Sequence, residues 1–93
     1  MVEAKNIKKI SEFNDNSLLI VDDDNPFRER LSRAMEKKGF QVSQAESVKK
    51  GIDSVKVKKP AFAVVDLRPN DGNGLEVVKE IQLNNPESRI IML

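Results

Sequence analysis

Four short aliphatic runs punctuate a chain otherwise rich in charge, and between them apolar positions recur every three or four residues. Leu18 to Val21 is continuously apolar rather than alternating, the pattern of a strand covered on both faces. Phe40 to Ala45, with Phe40 and Val42 inward, and Ala61 to Val65 read as second and third strands, and Arg89 to Leu93 opens a fourth. Phe27, Leu31, Ala34 and Met35 mark the apolar face of one intervening helix, and Val48, Ile52 and Val55 that of the next. Leu75, Val78 and Ile81, with Val77 partly inward, mark a third. The helix boundaries carry their own signals. Pro26 suits a first turn capped by Asp24 or Asn25, Ser47 caps the second helix, and Asn73 with Glu76 makes a near capping box for the third. Basic residues, Gly39, Pro60 and Pro86 supply the stops. Residues 1–17 are polar, with Ile7, Ile10 and Phe13 as their apolar contacts, and read as an extension.

Apolar strands alternating with amphipathic helices imply an α/β fold: a parallel sheet joined by right-handed crossovers, with helices on both faces. Ninety-three residues suffice for one such domain and not for two. A chain that is 39% hydrophobic and 33% charged has enough apolar surface for a core. Ending on an apolar strand leaves part of the sheet bare. The expectation is a fragment, or a chain whose exposed sheet face is covered by another molecule, making a homo-oligomer.

The charge balance, sixteen basic against fifteen acidic side chains, gives no field suited to nucleic acid or anionic lipid. Neither cysteine nor histidine occurs, which removes thiolate and imidazole chemistry and leaves carboxylates as the candidates. No signal-like segment and no membrane-length apolar run is present, so the cytoplasm is expected. The acids have a pattern. Asp22, Asp23 and Asp24 leave the first strand at its carboxyl end, and Asp66 leaves the third. Sites in open parallel sheets form beyond those ends. If the two strands are neighbours, the carboxylates repel one another unless hydrated or paired with a cation, and Mg2+, a hard ion that takes carboxylate oxygens and retains water, fits best. Asp66 would then be the nucleophile that accepts a phosphoryl group, with Asp22 and Asp23 placing the ion. The plainer alternative is a polar turn and helix cap at Asp22 to Asp24 with Asp66 merely ending a strand.

The segments L-L-I-V-D-D-D-N-P-F-R-E-R-L and A-V-V-D-L-R-P-N-D-G-N-G-L-E-V-V resemble the receiver domain of bacterial two-component response regulators. The D-L-R…D-G-N-G-L form is most similar to the RegA/PrrA/ActR group of redox-responsive transcriptional regulators, and the resemblance runs from Leu18 to Leu93. It implies an incomplete flavodoxin-like (CheY-like) sheet with strand order 2-1-3-4, and a module phosphorylated by a sensor histidine kinase. It also implies roles: Asp66 as phosphoacceptor, Asp23 as direct Mg2+ ligand, Asp22 as a ligand through water, and Arg68 contributing its backbone carbonyl. Asp24 receives no catalytic role, and Gly74 matches the glycine that opens the following helix.

Pro69 stands three residues beyond Asp66 where such receivers place proline at the fourth, and it restricts Arg68 to an extended conformation. Asn73 replaces a frequent aspartate. The hydroxyl and lysine that the family uses around the phosphoryl group would lie beyond Leu93, so the expectation is a receiver truncated after the fourth strand, with phosphorylation weakened or lost. Such a module is not an enzyme and makes no nucleic-acid contact of its own. The rival readings are a phosphorylation-incompetent interaction or dimerisation module and a small aspartate-dependent phosphohydrolase. Arg28, Arg30 and Arg33 read as a solvated helix face, with a kinase-docking surface as the alternative.

Overall fold

The computed structural model describes residues 15–93. The apolar positions Ile7, Ile10 and Phe13, and most of the polar extension, lie outside the described residues. Three helices alternate with four strands: β1 (Ser17–Val21), α1 (Asn25–Lys37), β2 (Gln41–Ala45), α2 (Val48–Val57), β3 (Phe62–Val65), α3 (Gly74–Asn84) and β4 (Arg89–Met92). The strands form one parallel sheet in the order β2-β1-β3-β4. That order agrees with the sequence expectation.

β1 is the central strand, and its residues from Leu18 to Val21 are at most 4% exposed. Its continuous apolar run is required because both of its faces are covered. Leu19 and Val21 join Val48, Val55, Val77 and Ile81 in the larger core beneath α2 and α3. Leu18, Ile20 and Val64 face the other way, against Leu31, Met35, Phe40 and Phe62 on the α1 side. Phe40 and Phe62 meet edge to face with ring centroids 5.2 Å apart, half-buried against the smaller core cluster.

Each helix begins on a side-chain cap. Asp24 accepts the Phe27 N–H, Ser47 the Lys50 N–H and Asn73 the Leu75 N–H, each satisfying an amide that the first helical turn leaves without a carbonyl. The caps are those expected. Two helix faces differ from expectation. In α3, Val77 is fully buried and Leu75 is 44% exposed, because Val77, Val78 and Ile81 are the side chains turned onto the sheet. In α1, Ala34 is exposed while Arg28 and Ser32 are buried. Arg28 thereby leaves the solvated face assigned to it, for a reason found at the sheet edge.

Replacing Ile81 with alanine removes a wholly buried side chain and is expected to cost about 2–5 kcal/mol, whereas Leu75→Ala should cost less than about 1 kcal/mol. Denaturant unfolding of the two variants measures both, and equal losses would contradict the face assignment.

Candidate functional site

The site is built by strand register. β1 and β3 pair so that Val21 lies opposite Val65, and the next residue of each strand is an aspartate. The ladder continues one step past both strands: the Asp22 N–H donates to the Ala45 carbonyl at 3.0 Å, and the Asp66 N–H to the Val21 carbonyl at 2.9 Å. The backbones of Asp22 and Asp66 are therefore fixed side by side, and Asp23 follows at the turn into α1. One ligand atom from each of Asp22, Asp23 and Asp66 falls within 4.8 Å of the others.

Each of these carboxylates is held by one backbone amide. Asp22 Oδ1 accepts the Asp24 N–H, Asp23 Oδ2 the Asn70 N–H, and Asp66 Oδ1 the Arg68 N–H, all at 2.9 Å. Every carboxylate keeps a second oxygen. Three hard oxygen donors at this separation fit a small divalent cation that takes some ligands directly and others through water. Asp24 is turned away to cap α1 and is exposed. Arg68 is exposed in the loop that follows Asp66.

The electrostatics bear on Asp22 most. It is only 7% exposed. Burial, then the charges of Asp66, Asp23 and Asp24, push its carboxyl above the ordinary value of 3.8, against the partial relief of the Asp24 amide. An acid so placed is a charge that folding disfavours.

Sequence patterns missed two supporting groups. The Arg28 guanidinium donates through Nη1 to the Asp22 carbonyl at 2.7 Å and through Nε to Gln44 Oε1 at 3.0 Å, tying α1 to the ends of β1 and β2. Its burial follows from this contact, because a buried carbonyl at a strand end needs a donor. The Asp71 carboxylate takes amides at the start of α2. Neither residue carries a local signal that distinguishes it from a surface charge. Gly74, which the motif did single out, has a steric reason: a Cβ there would lie 2.1 Å from the Asp66 carbonyl oxygen and 2.7 Å from Leu67 Cα. Any side chain at the start of α3 would displace the backbone that carries Asp66.

Compared with known families, residues 18–93 match the response regulator receiver domain. The chain belongs to that family. It is 57% identical over 79 residues to the photosynthetic apparatus regulatory protein RegA of Rhodobacter capsulatus, covering 85% of this chain and 43% of RegA. The acid tolerance regulatory protein ActR of Rhizobium meliloti (strain 1021) is 52% identical over 79 residues, 85% of this chain and 41% of that protein. This receiver domain thus spans less than half the length of those regulators. Among solved structures, a response regulator from Burkholderia pseudomallei with a phosphorylated aspartic acid, calcium ion and citrate superposes with a TM-score of 0.79 at 28% identity, covering 84% of this chain and 46% of that one. The RegA/ActR resemblance and the CheY-like fold agree with these matches.

Because the folded state holds the Asp22 proton to a higher pH than the unfolded chain does, stability falls as pH rises through that interval, and the whole penalty is present above the folded value. Asp22→Asn keeps an oxygen for the Asp24 amide and loses the charge. In chelator-containing buffer the variant should therefore be more stable than the parent at neutral pH, with the advantage vanishing below the ordinary value of 3.8. Urea unfolding across pH tests this, and a difference independent of pH would contradict it.

Proposed function

We propose that this receiver domain accepts one phosphoryl group on Asp66, with Asp22, Asp23 and the Arg68 backbone carbonyl holding Mg2+ beside it. The reading is carried by one observation: three acids from two adjacent strand ends place ligand atoms within 4.8 Å of one another. A bound Mg2+ offsets the charge of the acids and of the transferring phosphoryl oxygens. The Asp66 side chain supplies the nucleophilic oxygen. Its other oxygen is held by the Arg68 amide, which orients the carboxylate for in-line approach.

The donor belongs to a partner. A sensor histidine kinase, the partner of receiver domains, presents the phosphoryl group on its histidine. The P–N bond breaks as the O–P bond to Asp66 forms; the electron pair stays on the imidazole nitrogen, which is left neutral or takes a proton from water. Each molecule is modified once, which separates this function from repeated phosphohydrolase turnover. The phosphorylated aspartic acid and calcium ion of the Burkholderia pseudomallei structure support the same use of the fold. RegA and ActR are named as regulatory proteins, and we place this domain likewise in a transcriptional response regulator of the cytoplasm. No helix among the described residues is long and apolar enough to cross a membrane.

Incubation with acetyl phosphate and Mg2+, followed by intact-mass measurement, should add one phosphoryl group that Asp66→Asn and chelator both abolish; an unlabelled parent chain would refute the assignment.

A further inference from the structure

The loop between β3 and α3 is tied down at two adjacent residues, each to a different element. The Asn70 N–H donates to Asp23 Oδ2 at 2.9 Å. The next residue, Asp71, turns the other way. Its carboxylate accepts the Val48 N–H on both oxygens, at 3.0 and 2.9 Å, and the Lys49 N–H at 3.4 Å. Ser47 takes the Lys50 N–H at 3.1 Å, so α2 has two caps, one local and one brought from the loop.

A negative side chain on the first amides of a helix is favoured by hydrogen bonding and by the helix dipole together. The anchor itself is firm. At Gly51 a Cβ would meet Val21 side-chain carbons at 3.1 and 3.3 Å, so α2 sits hard against the end of β1, one residue before the acids. A loop strapped to that helix is therefore held in fixed relation to the strand bearing Asp22 and Asp23.

We infer that Asp71 is a positioning residue for the acid pocket: by strapping the loop to the first turn of α2, it holds the Asn70 amide on Asp23 and fixes the orientation of that carboxylate toward Asp22 and Asp66. Asp71 touches none of the three acids and acts through its neighbour's backbone. The consequence for ion affinity rests on the Mg2+ reading given above. The strap itself does not, since every contact in it is made by the chain alone.

Ser47→Ala is the matched control, because it removes the other cap of α2 and leaves the loop tied. Both Asp71→Ala and Ser47→Ala should lower the melting temperature. In the full chain, only Asp71→Ala should speed hydrogen exchange at the Asn70 amide and move its NMR resonance. It alone should also weaken Mg2+ binding, titrated with the metal alone, by about tenfold, the effect typical of losing a group that orients a metal ligand. Asp71→Asn keeps one acceptor oxygen and should fall between, and it serves if the alanine variant does not fold. An Asn70 amide that Asp71→Ala or Asp71→Asn leaves unchanged, or that Ser47→Ala disturbs equally, would overturn the inference. Unaltered affinity in Asp71→Ala would do the same. A parent chain that binds no Mg2+ would defeat the ion reading instead, while the exchange comparison would still decide the strap.

Discussion

The register between β1 and β3 is the constraint from which the site follows. Parallel pairing places Val21 opposite Val65, and one further bond on each strand, from Asp66 to β1 and from Asp22 to β2, carries both acids past the strand ends together. A slip of one residue would turn the apolar side chains of β1 to the opposite faces and separate the acids in the same step. Leu18 to Val21 are at most 4% exposed, so the hydrophobic core that specifies the register also brings these acids together.

Bringing carboxylates together works against folding, and the chain answers with amides. Each of Asp22, Asp23 and Asp66 receives one backbone N–H, which lowers the cost of its charge and leaves the opposite oxygen for another ligand. The relief is incomplete at Asp22, whose carboxyl remains raised by burial and by the neighbouring acids. That residual cost is what a divalent cation would remove, so on the proposed reading ion binding would stabilise the fold through the same group.

Two close backbone approaches make the arrangement stiff. Gly74 lets α3 start against the Asp66 carbonyl, and Gly51 lets α2 press on Val21. Arg28 does the equivalent on the other face, joining α1 to the Asp22 carbonyl and to Gln44. All three helices are thus referenced to the ends of β1 and β3. Helix placement and pocket geometry become one mechanical unit.

Much of this was present in the sequence by itself. The order of elements, the caps at Asp24, Ser47 and Asn73, the doubly covered β1 and the acids at 22, 23 and 66 all depend on neighbouring residues, and local periodicity reports them. The need for glycine at 74 was visible as a motif, although its cause, contact with the Asp66 backbone, was not. Tertiary structure alone decided what faces what. Leu75 and Val77 fit a helical stripe comparably until the sheet selects one, and Arg28 resembles its solvated neighbours Arg30 and Arg33 until the Asp22 carbonyl requires a donor. Asp71 looked like part of a turn because its partners, the first amides of α2, lie more than twenty residues away. Propensity and spacing encode interactions within a few residues. Pairings across the sheet arise only when burial has fixed the register.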